Sequence, residues 1–180
     1  MWWAVGMNWD SLLTDLESRF DAERRTNIAA EAADLAEAEI AALHLADRLR
    51  GAVGRTVHLR TRGGAAVDGV VRRAEDAFVL LDEGEGIQSL VPLDAVALAS
   101  PLPGPAPAPN GHHRPSLQGA LRELARAGTR VRVICASQEV TGRLARVGAD
   151  YIDVARDPVS GHTPGAITIA LAVIDVVRSR

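Results

Sequence analysis

The sequence contains no lysine, and this absence excludes several kinds of active site. All 20 residues counted as lysine or arginine are arginines. A Walker-type phosphate loop, a Schiff base to a carbonyl substrate and a serine–lysine catalytic pair each need a lysine amine. None of these is encoded in the 180 residues.

Cysteine and long apolar runs are almost as scarce. Cys135 is the single cysteine, so no internal disulfide can form, which favours a reducing compartment. No apolar run approaches the ~18 residues that a membrane span needs. Residues 1–6 lack the basic start and the long apolar stretch of a signal peptide. We therefore expect a cytoplasmic protein that does not enter a membrane.

The residues that most often form catalytic or metal sites are not arranged to do so. The five histidines are not spaced with Cys, Asp or Glu as metal ligands would be, and His112-His113 falls in a proline-rich stretch. Cys135 shares a strand face with Val131 and Val133, which predicts a small core residue. No GxGxxG or GxSxG motif occurs. We predict a non-enzyme with no catalytic residue, no cofactor and no metal.

Glycine and proline are absent from residues 8–50, and this predicts one long N-terminal helix of roughly 60 Å. Thr26-Asn27 is the only weak spot, and the sequence leaves open whether the helix is continuous, kinked or broken there. Apolar residues recur at helical or heptad spacing, at Trp9, Leu12, Leu13, Leu16 and Phe20 and then at Ile28, Leu35, Ala42 and Leu49. The helix must bury this stripe against its own N-terminal half, the rest of the chain or a partner helix. In the last case residues 9–50 form a homo-oligomer, as in a coiled coil.

The sequence pattern of residues 54–100 recurs, with lower similarity, at 128–178, and such an internal repeat indicates two copies of one small module. Val57, Leu59, Val67, Gly69, Val71 and Phe78 match Val131, Val133, Val140, Gly142, Leu144 and Tyr151. After a longer loop at Asp157-Pro158, the match resumes with Leu93, Val96 and Leu98 against Leu171, Ile174 and Val176.

Each copy is predicted to hold five short antiparallel strands. In the first copy they lie at 57–59, 67–72, 78–81, 89–91 and 95–99, with Gly63-Gly64 as a hairpin turn. In the second they lie at 130–136, 139–146, 150–155, 166–171 and 173–178, after a helix that Ser116 caps and Gly128 terminates. Residues 101–115 hold six of the nine prolines and are predicted to be a linker without regular structure.

The order of a helix, a Val-x-Val strand, a turn and a Val-x-Gly-x-Leu strand, followed by residues 147–154, resembles the Sm-like fold. In that family a helix precedes five bent strands, and a glycine lies where the second strand curves. The resemblance covers residues 54–99 and 116–178. It implies a mainly β, α+β chain with two small SH3-like antiparallel barrels. The expected domains are the helix at 1–50, the first Sm-like barrel at 51–100, the linker at 101–115, and a helix with the second barrel at 116–180.

The complete layout is also similar to uncharacterised proteins of high-GC bacteria that are sometimes labelled Fis-family transcriptional regulators. This similarity implies a regulatory role linked to nucleic acid.

Arginines supply the candidate binding site. The candidate polyanion-binding residues are Arg73, Arg130, Arg132, Arg143 and Arg146, which alternate with the apolar residues of their strands and so are predicted to face solvent. Residues 100–180 carry 10 arginines against 6 carboxylates, a net of +4, whereas residues 1–50 carry 5 against 10, a net of −5. The basic end favours weak binding to RNA or DNA.

The same arginines lie near Glu139, Asp150 and Asp153, which would neutralise them if they formed ion pairs. We therefore expect a non-catalytic binding or assembly protein that is linked to nucleic acid and regulatory. The alternative is a protein–protein scaffold that dimerises through its N-terminal helix.

Overall fold

The computed structural model describes residues 9–107, 115–136, 138–156 and 165–180, and it divides into two compact units. The first unit extends to Leu43 and contains helix α1, Trp9–Ala41. The second unit, His44–Arg180, contains two short helices, α2 (Leu45–Gly51) and α3 (Leu117–Arg126), and ten strands. The predicted loop at Asp157-Pro158 and the pair His112-His113 lie outside the described residues.

Helix α1 continues without a break through Thr26-Asn27. The Thr26 hydroxyl donates a hydrogen bond to the carbonyl oxygen of Ala22, 2.9 Å away, so this residue is accommodated inside the helix. Every side chain that the structure describes in α1 is exposed. No helix in the described part of the chain is both long and apolar enough to cross a membrane.

The helix predicted to reach Arg50 ends at Ala41, because a new helix starts four residues later, at Leu45. His44 has extended backbone angles and serves as the N-cap of α2, where its N–H donates to a carboxylate oxygen of Asp47 at 2.9 Å. This hydrogen bond satisfies an N–H group at the start of the helix and fixes the beginning of α2. Residues 42–44 therefore separate two helices.

The predicted strands and the predicted helix α3 are all present. The first five strands are β1 (Thr56–Thr61), β2 (Ala66–Ala74), β3 (Phe78–Gly84), β4 (Ile87–Pro92) and β5 (Val96–Ser100). The second five are β6 (Arg130–Cys135), β7 (Gln138–Val147), β8 (Tyr151–Ala155), β9 (Ala166–Ala170) and β10 (Ile174–Ser179). Ser116 caps α3 as predicted, since its side chain accepts a hydrogen bond from the N–H of Gly119 at 3.0 Å.

The ten strands form one open antiparallel sheet rather than two separate closed barrels. Its order is β5-β1-β2-β3-β4-β10-β6-β7-β8-β9, so that the two halves have the same internal order. The register is also the same, because Val57 lies opposite Gly69 and Val131 lies opposite Gly142. A Cβ at Gly69 would clash with the carbonyl oxygen of Asp82, which explains why a side chain is excluded at this close approach.

The strands in the middle of the sheet have both faces buried, and this is why the barrels are not separate. Strands β4 and β10 pair, with Leu90 opposite Val177. Phe78 and Leu90 of the first half pack in the core of the second half, whereas Val176 of the second half packs in the core of the first. Each half therefore contributes side chains to the other's core.

The start of the proline-rich segment packs on the first half. Residues 101–107 contain no helix or strand, as predicted. Leu102 packs against the first core, and the N–H of Ala106 donates to the carbonyl oxygen of Asp47 at 2.9 Å. The beginning of the proline-rich segment is therefore attached to the first half through its core and through α2.

Candidate functional site

Three of the five predicted arginines lie together on one face of the second half. Arg130 and Arg132 are two residues apart on β6, so their side chains leave the same face of the strand. Arg143 of β7 lies directly opposite Arg130. All three are exposed.

Two further arginines, which the sequence pattern did not identify, lie at the end of the chain. Arg178 of β10 lies directly opposite Arg132, and Arg180 directly follows the strand. The five arginines 130, 132, 143, 178 and 180 are called the arginine cluster below. Part of it surrounds a depression of about 250 Å³ whose lining is Ile87, Arg130, Val131, Arg132, Thr141, Arg178, Ser179 and Arg180.

Two glutamates compensate part of the charge of the arginine cluster. Arg132 Nε lies 3.1 Å from Glu139 Oε1, and Arg178 Nε lies 2.7 Å from Glu83 Oε1. Neither Arg143 nor Arg180 forms an ion pair with a carboxylate in the part of the chain that the structure describes. The two glutamates therefore offset only part of the positive charge of the arginine cluster.

The remaining two predicted residues do not join the arginine cluster. Arg146 Nη1 lies 3.9 Å from Asp153 Oδ2, near the far end of β7. Arg73 is in the first half and pairs with Glu75. Two of the three carboxylates that were expected to neutralise the predicted arginines thus contact them: Glu139 lies beside Arg132 and Asp153 beside Arg146.

The first half has the same strand pairs without the arginines. Thr56 lies opposite Val70 where the second half pairs Arg130 with Arg143. His58 lies opposite Ser100 where the second half pairs Arg132 with Arg178. The sheet forms with uncharged or weakly basic residues at these positions, so the fold itself does not require the arginine cluster.

Arg178 was not among the predicted residues, because its position beside Arg132 depends on the order of the strands and not on either strand alone. Arg178 leaves β10 on the same face as Val176, near the end of the strand. Aligning that strand beside β6 from the first-half order, in which β5 neighbours β1, would have placed Arg178 next to Arg132.

The two outer strands of the sheet form a second candidate site. Strands β5 and β9 each have one neighbour in the sheet, and their sequences, VALAS and AITIA, contain no charged residue. Proteins usually protect exposed strand edges with charges, proline or bulges, because an unprotected edge pairs with other chains. Leu98 on β5 is 67% exposed.

Hydrogen bonds from polar side chains connect the two halves where β4 and β10 pair. The buried Asp175 of β10 accepts hydrogen bonds from the N–H groups of Gly63 at 3.1 Å and Ala136 at 3.2 Å. Arg178 Nη2 donates to the carbonyl oxygen of Ala66 at 2.7 Å. These bonds attach the β1–β2 hairpin of the first half to β10.

The described residues contain no group of three or more His, Cys, Asp or Glu side chains arranged to hold a metal ion.

Cys135 is buried, as predicted, and burial raises its pKa, with a further contribution from the negative charge of Asp175. His58 Nδ1 lies 2.8 Å from Asp68 Oδ1 on the exposed face of the first half.

Comparison of the chain with models of known protein families gave no match, and a search among curated proteins found no significant relative.

Proposed function

We propose that this is a non-catalytic assembly protein whose chains associate when β9 of one copy pairs with β5 of the next. The observation that carries the proposal is the β4–β10 joint inside the chain, where two five-stranded halves already pair edge to edge. By strand order, β9 is the counterpart of β4 and β5 is the counterpart of β10. Association between chains would therefore repeat a contact that the chain makes within itself.

We interpret the two halves as copies of one Sm-like module, in which each barrel is open at the strand that pairs with the other half. Their identical strand order, the matched pairs Val57–Gly69 and Val131–Gly142, and a helix preceding each set of strands support this interpretation. Because the contact is head to tail, it leaves one unpaired edge at each end of any open assembly.

The side chains at the two edges predict a contact weaker than the internal joint. Leu98 would fill the place that Val176 occupies inside the chain, which favours association. On the other edge, Asp153 and Thr168 stand where the first half has Leu80 and Leu90, and Thr168 Oγ1 donates to Asp153 at 2.7 Å. Apolar burial is smaller with these polar groups, so chains exchange readily and assemble as their concentration rises.

Helix α1 supports a second, independent self-association. It is 33 residues long and leaves Leu16, Phe20, Ile28 and Leu35 exposed by 40% to 69%, together with Leu13 and Ile40. Helices in proteins gain most of their stability by burying an apolar face against another element, and an isolated helix lacks this contribution. A second copy of α1 is the partner that the scaffold alternative requires.

Two variants that each block one edge test the proposal. Leu98→Asp places a charge at the counterpart of the buried Val176, and Thr168→Lys places one at the counterpart of the buried Leu90. Both positions are exposed in the single chain, so folding should be unaffected. Each variant alone should lose the edge-dependent association in sedimentation velocity, and an equimolar mixture should restore one contact for each pair of chains.

Val53→Asp is the matched control, because Val53 is 50% exposed and lies on neither edge strand. It should associate as the wild type does. Restoration in the mixture identifies a head-to-tail contact, since a symmetric β5–β5 contact would leave Thr168→Lys unaffected and the mixture unrestored. Unchanged association in both edge variants would refute the proposal.

A further inference from the structure

We propose that the depression bounded by Arg130, Arg132 and Arg178 binds a phosphate group of a nucleotide or nucleic-acid ligand. Its rim is cationic, and none of its lining residues is a carboxylate. The Thr141 and Ser179 hydroxyls are also in the lining, so neutral donors are available beside the guanidinium groups. Arginine suits phosphate because its planar N–H groups match the oxygens in pairs.

The electrostatics of the sheet point to the same conclusion. Arg130 and Arg143 are directly opposite, and so are Arg132 and Arg178. Like charges at directly opposite positions of antiparallel strands destabilise the pairing. The two glutamates offset part of this repulsion, and a bound phosphate dianion would offset more of it.

The first half supplies an internal comparison that separates a binding role from a structural one. At the corresponding positions it has Thr56, Val70, His58 and Ser100, and its strands pair in the same register. The arginines are thus additions to one copy of a shared framework. A surface needed only for folding would not have to differ between the halves in this way.

The size and the place of the depression define the ligand further. A space of about 250 Å³ between strand ends admits a phosphate or pyrophosphate group with part of its sugar, and it is too small to enclose a duplex. Strands β6 and β10 lie inside the sheet and not at its edges. Phosphate binding therefore does not depend on assembly through β5 and β9, and the two proposals fail independently.

The test is isothermal titration of the full chain with inorganic pyrophosphate, a nucleoside triphosphate and a short single-stranded oligonucleotide. The decisive variant replaces three arginines by their first-half counterparts, Arg130→Thr, Arg132→His and Arg143→Val. It is measured at pH 8 to keep the histidine neutral. Loss of each of the two replaced arginines that line the depression, Arg130 and Arg132, should weaken binding about tenfold, because charge-assisted hydrogen bonds contribute about that factor. The triple variant should bind roughly a hundredfold more weakly or worse.

Arg126→Ala is the matched control, since Arg126 is an exposed arginine on α3 that pairs with Glu123. It should bind as the wild type does, and thermal unfolding of all variants should report the same folded state. Tighter binding of the oligonucleotide than of the triphosphate, with the same dependence on the three arginines, identifies nucleic acid as the source of the phosphate. The reverse order identifies a free nucleotide. Absence of saturable binding to all three probes, or equal loss in Arg126→Ala, overturns the proposal.

Discussion

Val176 and Leu98 occupy corresponding positions in the two halves of the sheet but have opposite environments. Val176 lies opposite Ile134 two residues before Arg178, and Leu98 lies opposite Arg60 two residues before Ser100. Val176 is fully buried in the core of the neighbouring half, whereas Leu98 is 67% exposed. At the internal joint, the neighbouring half therefore buries the side chain at this position. At the outer edge no neighbouring half is present, and the side chain at the same position stays exposed.

This difference predicts unequal effects of truncation on stability. Val176→Ala removes two buried methyl groups at the joint and should lower the free energy of unfolding by about 2 kcal/mol. Leu98→Ala should change it by less than about 0.5 kcal/mol, as for other exposed sites. Urea denaturation at low protein concentration, where chains are dissociated, measures both. Equal destabilisation by the two substitutions would contradict the assignment of Leu98 to an open edge.

Helix α1 should contribute to association separately from the sheet edges. A chain that starts at His44 lacks the exposed apolar residues of α1, so the number of chains per particle in light scattering should be lower than for the full chain under the same conditions. Leu98→Asp introduced into the shortened chain should lower this number further. An unchanged number of chains per particle after removal of α1 would assign self-association to the sheet alone.

The Arg72–Asp82 pair predicts a specific effect at acid pH. Hydrogen bonds from Arg72, at 2.6 Å and 3.1 Å, and from the N–H of Gly84 lower the pKa of Asp82 in the folded chain. Its stabilising contribution is therefore present above the unfolded pKa of about 3.9 and is lost as the pH falls through the lower folded value. Arg72→Ala should move the midpoint of acid unfolding to higher pH, and its difference from wild type should vanish at the lowest pH.

Circular dichroism across an acid titration measures this effect. Arg126→Ala, which removes an arginine from another surface, controls for the change in net charge. If both variants shift the midpoint equally, net charge and not the Asp82 contact is responsible.

Cys135 should be unreactive in the folded protein. It is buried on β6, and a raised pKa keeps its thiol protonated at neutral pH, whereas alkylation requires an exposed thiolate. Iodoacetamide at pH 8 should modify the native chain far more slowly than the chain in urea, which mass spectrometry resolves because the chain has one cysteine. Similar rates in both conditions would show that β6 opens frequently.

Much of the local structure follows from the sequence, because local patterns determine it. The alternation around Val57 and Val131, the helix cap at Ser116 and the glycines at 69 and 142 were all sufficient to predict their elements. The end of α1 was missed although His44 and Asp47 have the spacing of a capping pair. The uninterrupted helical composition of residues 8–41 outweighed that short signal.

The arrangement of the two halves depends on contacts distant in sequence, and only indirect signs of it are present. Unbroken apolar runs, as at Phe78-Val79-Leu80-Leu81, are typical of strands buried on both faces. Two separate barrels were expected instead, so this sign of burial by a neighbouring half was not used. Arg178 was not predicted to lie beside Arg132 for the same reason. The two residues become neighbours only when β10 lies between β4 and β6.

Interchain disulfide formation tests the central claim, the pairing of β9 with β5, most directly. The joint places Leu90 opposite Val177, so between chains Thr168 should lie opposite Ala99. Directly opposite residues of antiparallel strands are close enough for a disulfide. A Thr168→Cys chain mixed with an Ala99→Cys chain should form one faster than the same chain mixed with Ala97→Cys, although Ala97 is the more exposed position. Faster reaction with Ala97→Cys, or crosslinking of Ala99→Cys with itself alone, would contradict the head-to-tail pairing.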